Sequence, residues 1–156
     1  MHARNINIKQ GNAMEYSVFI SGAAQGIGSE IARIFHKNGY KVGIYDIDEE
    51  KAQHLAQQLG ENAKAGYLDV SNYRQWQIAI REFKNWAGEL NILVNNAGIL
   101  YSGAFENTPI QSHHRTIDIN VKGVLNGCHA ALAHLQKSSF ARVINLSSAS
   151  AIYGQA

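Results

Sequence analysis

From about residue 17 onward, short apolar runs alternate with longer stretches in which apolar residues recur every three or four positions. Ser17-Val18-Phe19-Ile20-Ser21 has the length of a buried strand and runs into glycines, so the pattern predicts a strand entering a tight turn. Ile27, Ile31, Ile34 and Phe35 then repeat at helical spacing, with Gly39 placed to end the helix. A second strand is predicted over residues 40–45. Asp48, Glu49 and Glu50 offer an N-cap and an acidic first turn to a helix carrying Ala52, Leu55, Ala56 and Leu59, closed by Gly60. A third strand is predicted over 63–68. A helix capped by Ser71 and carrying Trp76, Ala79, Ile80 and Phe83 follows, and a fourth strand covers 90–94. Residues 108–137 predict one long helix, with Pro109 near its start and Ile117, Val121, Val124, Leu125, Cys128 and Leu132 on or near one stripe. A fifth strand is predicted over 142–146.

Strands that alternate with helices call for parallel pairing, right-handed crossovers and helices on both faces of the sheet. With 156 residues the chain suits one compact domain, here 17–156, behind a polar leader of residues 1–16. Met14 lies three residues before the first strand, so both it and Met1 remain open as starts.

Composition narrows the function classes. An apolar fraction of 46% and a charged fraction of 17% are ordinary for a globular chain. A formal net charge of +2, with no basic block, gives no reason to expect nucleic acid as a partner. No apolar run reaches the roughly 18–20 residues of a membrane span, and the leader has no secretory h-region, so a cytoplasmic location is expected without membrane partners. The single cysteine, Cys128, lies in an apolar helical stretch and is expected to be buried and inert. Among the seven histidines, His113 and His114 are adjacent, while His129 and His134 stand five apart and share no helix face, so no metal site is expected.

The candidate chemistry begins in the turn after the first strand, where Gly22, Gly26 and Gly28 surround Ala23, Ala24, Gln25 and Ile27. Glycines there let the backbone turn sharply and approach a pyrophosphate, which the helix N-terminus then faces with free amides. A plain strand-to-helix turn also carries such glycines. Asp46 ends the second strand eighteen residues after Gly28, where an acid hydrogen-bonds the adenosine ribose hydroxyls. Its charge would repel a 2′-phosphate, and Ala23, Ala24, Gln25, Ile47 and Asp48 bring no Arg or Lys, so NAD is expected in preference to NADP.

The GxxxGxG spacing, together with Asn95-Asn96-Ala97-Gly98 after the fourth strand, resembles the short-chain dehydrogenase/reductase family of the compact, single-domain kind. The resemblance runs from about Ser17 to the last residue and implies an α/β, Rossmann-like doubly wound parallel sheet. It implies that Asn96, Ala97 and Gly98 line the cofactor site while the segment steadies the sheet. It implies that Asp69 and Val70 contact the adenine, with the acid accepting from the ring amino group. Ser21 stands where the family usually has threonine, and it keeps the hydroxyl.

By the same resemblance, Asn120 is a catalytic residue that holds a water in a proton relay, and Ser148 orients the substrate carbonyl oxygen. The family's tyrosine and lysine, in a YxxxK pattern about a dozen residues beyond that serine, would fall past Ala156. Tyr153, five residues after Ser148, comes too early for the acid/base role. The implied activity is NAD-dependent hydride transfer on a small-molecule alcohol or carbonyl, in a homo-oligomer. A chain with Ser148 and Asn120 but no Tyr/Lys pair leaves two further readings open: a non-catalytic NAD-binding module and an inactive remnant.

Overall fold

The computed structural model describes residues 16–149. Five parallel strands, β1 (Ser17–Ser21), β2 (Lys41–Asp46), β3 (Ala63–Tyr67), β4 (Ile92–Asn95) and β5 (Arg142–Asn145), form one sheet in the order β3-β2-β1-β4-β5. The chain winds outward from β1 to β3 and then crosses back, so the C-terminal ends of β1 and β4 lie side by side with a crevice between their loops. Ser21 pairs with Asn95 in this register, and Asn95 with Asn145.

Alternation along the central strands divides the core in two. Val18 and Ile20 on β1, with Val42 and Ile44 on β2, meet Ala32 of α1 (Gly26–Lys37) and Ala52 and Leu55 of α2 (Glu49–Leu59). Phe19 and Tyr45 point the other way, against Trp76, Ile80 and Phe83 of α3 (Tyr73–Ala87) and Ala131 of α5 (Gly123–Leu135). Phe19 stacks on Tyr45 with ring centroids 4.2 Å apart and meets Phe83 edge-on at 5.4 Å. A Cβ at Gly66 of β3 would lie within 2.9 Å of Tyr45 Cδ1, so glycine makes room for that ring. The Tyr45 hydroxyl is buried with no hydrogen-bond partner among the described residues. Burial pushes its titration up, and Glu82 adds to the shift.

Several expectations are corrected. Each of the four later strands ends within two residues of its predicted bounds, because pairing rather than hydropathy sets the ends. Tyr40 stays out of β2 because its amide bonds Phe35 O at the end of α1. Asn72, not Ser71, caps α3: its side chain accepts from Gln75 N, while Ser71 donates its amide and hydroxyl to Asp69 Oδ1. On α1 the buried positions are Gly28 and Ala32, and Ile27 and Ile34 are exposed, because the helix approaches the sheet through its smallest residues.

The long helix is interrupted. After α4 (Ile110–Ile117), which follows Pro109 at its N-cap, residues Asp118–Lys122 form a π turn that leads into α5. The stripe of Ile117, Val121, Leu125 and Leu132 is exposed, and Cys128 is half-buried rather than buried. The buried side of α5 is instead Gly123, Gly127, Ala131 and Leu135. A Cβ at Gly127 would come within 2.8 Å of the Trp76 ring, which shows how closely α5 lies on α3.

Tyr16, the only residue of the expected leader among those described, belongs to the domain: its carbonyl accepts from Lys41 N, and its ring lies 5.5 Å from that of Phe140. Met14 and Tyr153 fall outside the described residues. No helix among the described residues is long and apolar enough to cross a membrane.

Candidate functional site

The crevice at the C-terminal ends of β1 and β4 is an open cleft of about 390 Å³. Ligands of open α/β sheets bind where the strand order reverses, which here is between β1 and β4. One wall is the glycine turn. Gly22 passes so close to Ala97 that a Cβ would sit 2.6 Å from Ala97 Cα. Asn96 fastens the turn from below, its Nδ2 donating to Ser21 O at 3.0 Å and Gly22 O at 2.7 Å. The Ser21 hydroxyl accepts from the amides of Asn96 and Ala97, so the serine does the stitching for which a hydroxyl was expected.

Gly22, Gln25 and Ile27 line the cleft, while Gly26 and Gly28 shape its wall from behind. Gly28 packs against Gly22 O and Asn96 Nδ2. Gly26 has a left-handed φ of 56° and opens α1, whose first-turn amides are left for a ligand or water. The glycine approach and these free amides fit a pyrophosphate: a side chain at either Gly22 or Gly28 would break the cradle.

At the end of β2, both carboxylate oxygens of Asp46 are oriented by backbone amides, Oδ2 by Ala24 N at 2.9 Å and Oδ1 by Asp48 N at 3.0 Å. Asp48 caps α2 and binds Lys51 at 2.6 Å, and these hydrogen bonds from Lys51 hold its carboxyl below the usual range. Lys51 is therefore already paired beside Asp46.

The far end of the cleft is built by the loop after β3. Asp69 turns the chain by accepting from Ser71, and its own amide donates to Gln75 Oε1 at 2.7 Å. Val70 O is held by Trp76 Nε1 and by Asn126 Nδ2, both at 3.0 Å. Leu68, Asp69 and Val70 thus form a fixed ledge facing Asn96, Ala97 and Gly98.

Asn120 lies inside the π turn. Its Nδ2 donates to Ile99 O at 2.8 Å and its Oδ1 accepts from Ile99 N at 2.9 Å, which supplies the reason for an asparagine within a helix. The amide thereby ties the helix to the loop after β4, with Gly98 next to it. Ser148 follows β5 and is exposed; it does not line the cleft, although it stands beyond Asn145, the strand neighbour of Asn95. Asn95 Nδ2 donates to Asn145 Oδ1 at 2.8 Å, joining the two strands beneath this end.

Sequence reading missed part of the lining. Ile47 and Leu68 adjoin motif residues and could have been added by adjacency. Ile99 follows Gly98 in the same way, whereas Arg115 and Ile119 reach the cleft only through the approach of α4 and the π turn. The signal for the last two is faint: positions 115, 119 and 123 are spaced for one helix face, and Gly123 packs on Val70.

The family model of the short chain dehydrogenases matches residues 16–156. The chain is 34% identical over 131 residues to the 3-beta-hydroxysteroid dehydrogenase of Comamonas testosteroni, covering 84% of this chain and 51% of that protein. It is 33% identical over 135 residues to the 3-alpha-(or 20-beta)-hydroxysteroid dehydrogenase of Mycobacterium tuberculosis, covering 86% and 52%. The crystal structure of 3-ketoacyl-(acyl-carrier-protein) reductase from Brucella melitensis complexed with NADH superposes with a TM-score of 0.84 at 30% identity, over 87% of this chain and 58% of that one. The chain spans about half the length of the curated relatives it matches. A doubly wound sheet, a glycine turn stitched to an Asn-Asn-Ala-Gly segment, and a family match over nearly all its residues place this chain in the short chain dehydrogenase family.

Proposed function

We propose that this chain forms the nucleotide-binding portion of an NAD-dependent oxidoreductase that interconverts an alcohol and a carbonyl compound. The observation that carries the reading is Asp46, which lines the cleft and is oriented by two backbone amides, one of them that of Ala24 within the glycine turn. A carboxylate so held accepts from the paired hydroxyls of a ribose and repels a phosphate on the 2′ position. Lys51, a cation close to Asp46 in sequence, is engaged by Asp48.

In this reading the first-turn amides of α1 bind the pyrophosphate. Asp69 Oδ2, which no described residue bonds, accepts from the adenine amino group, and Val70 packs on the ring. A bound nicotinamide supplies the hydride acceptor or donor. Ser148 hydrogen-bonds the substrate oxygen and orients it. Asn120 commits its amide to Ile99, so it fixes the cleft wall, and a relay water would rest on main-chain carbonyls rather than on that amide. The family pattern assigns proton exchange to a tyrosine and lysine beyond Ala156. The residues of this chain are expected to bind NADH, and the tyrosine and lysine of the family pattern would contribute roughly 10² to 10⁴ in rate through proton transfer. Self-association is part of the proposal, supported by the exposed Leu125 and Leu132 on α5.

Titration of the full chain with NADH and NADPH, followed by nicotinamide fluorescence, tests the cofactor. NADH should bind roughly tenfold or more tighter than NADPH, and Asp46→Ala should abolish most of that preference. Equal affinity in the unsubstituted protein would overturn the preference; no binding of either would overturn the reading.

A further inference from the structure

We propose that Arg115 is a cofactor-binding residue, its guanidinium closing the adenine end of the cleft against the face of the purine. The inference rests on the nucleotide reading above and assigns a contact that reading does not include. Arg115 lines the same cleft as Ile119, Asp69 and Val70, and it is the cation among the lining residues.

Its placement follows from the helix. Arg115 sits in the last turn of α4, Ile119 one turn later in the π turn, and Gly123 at the start of α5. Gly123 touches Val70, with a Cβ there falling 2.9 Å from Val70 Cγ2, and Asn126 Nδ2 donates to Val70 O. This helix face is therefore anchored on the ledge after β3 and extends outward from it through Ile119 to Arg115. The glycine turn belongs to α1, on the opposite face of the sheet, so Arg115 attends the base end of the cleft rather than the phosphate end.

Nothing in the described structure neutralises that guanidinium. No ion pair or side-chain hydrogen bond links Arg115 to another described residue. The two acids that line the cleft are oriented by other groups, Asp46 by the amides of Ala24 and Asp48 and Asp69 through Oδ1 by Ser71, and neither forms an ion pair with Arg115. A planar, weakly hydrated cation at the rim of an apolar ledge is matched to the face of an aromatic base. Val70 and Ile119 would support the inner part of one face of the purine, and Arg115 would cover the outer part of that face.

The test uses AMP and NADH titrations of the full chain, with Arg115→Met and Arg115→Lys compared at low salt and at about 0.5 M salt. Arg115 is exposed, and unchanged thermal unfolding would show that both variants keep the fold. Both should weaken AMP and NADH by the same factor, roughly three- to thirtyfold, and the loss should persist at high salt. Three results would overturn the proposal: Arg115→Met binding as tightly as the unsubstituted chain, Arg115→Lys restoring full affinity, or a loss that vanishes at high salt, the last two marking a charge contact with phosphate. If the unsubstituted chain itself binds no NADH, the nucleotide reading and this inference fall together; if it binds and Arg115→Met does not differ, only the inference falls.

Discussion

Gly28→Ala is the most direct probe of how the glycine turn is held. The added methyl would lie inside contact distance of Gly22 O, 2.5 Å from Asn96 Nδ2 and 2.9 Å from Ala23 Cα. Two of these three neighbours are backbone, so relief must come from moving α1 outward or from expelling the Asn96 amide. Overpacking of this kind costs about 1–3 kcal/mol, and loss of the 2.7 Å bond from Asn96 to Gly22 O adds about 1 kcal/mol. The expected destabilisation of about 2–4 kcal/mol is a large share of the roughly 5–15 kcal/mol that holds a domain together. For a chain of this size it corresponds to a drop of about 5–15 °C in Tm. Gly26→Ala is the paired control, since a Cβ there meets nothing within 4 Å and only its φ of 56° is strained, at about 1–2 kcal/mol. Thermal and urea unfolding of both variants should rank Gly28→Ala as the more destabilised, with NADH affinity lost alongside. A Gly28→Ala protein as stable as Gly26→Ala would mean that the packing against Gly22 and Asn96 is looser than described.

Three further outcomes are expected. Tyr45→Phe should raise stability by about 1 kcal/mol in urea titration, because it removes a buried hydroxyl with no partner among the described residues; a loss instead would reveal a partner for that oxygen. The Asn91 side chain, then the Ser139 amide, hold the Glu89 carboxyl below its ordinary value of 4.5, so the folded chain binds fewer protons there than the unfolded one. Stability from Glu89 is thus present above that value and lost as pH falls through the lower folded pKa, and Glu89→Gln should flatten the acid limb of a stability-versus-pH curve between about pH 6 and pH 3. Asn120→Ala should accelerate hydrogen exchange at the Ile99 amide, which loses its acceptor, without comparable change at β1; equal exchange would show that the loop after β4 is held by other contacts.

Buried parallel strands are easy to read because both faces are apolar and glycines or charges bracket them, which is why Ser17–Ser21 and the motifs at its end could be placed from sequence. The errors share a cause in tertiary contact. Ser71 and Asn72 are both good caps, and only the capture of Ser71 by Asp69 decides between them. The stripe through Ile117, Val121, Leu125 and Leu132 treated the region as one α-helix, but the π turn inserts a residue and shifts the phase of everything after it. The face that is buried carries Gly123, Gly127 and Ala131, which no search for large apolar residues would select. In the cleft, residues within a motif were legible, whereas Arg115 and Ile119 enter from a helix more than forty residues beyond Asp69 and became visible only with Gly123 set against Val70.

The Asn95–Asn145 bond bears on how β5 finds its place. The apolar residues of β4 face Arg142, Val143 and Ile144 in an order that a two-residue slip would preserve, since such a slip returns each side chain to its own face. Asn95 is 3% exposed, so after a slip its amide would be left in the interior without Asn145, at a cost of about 1–3 kcal/mol. The pair acts as a proofreading contact for strand alignment: a misaligned edge would be compact and yet disfavoured.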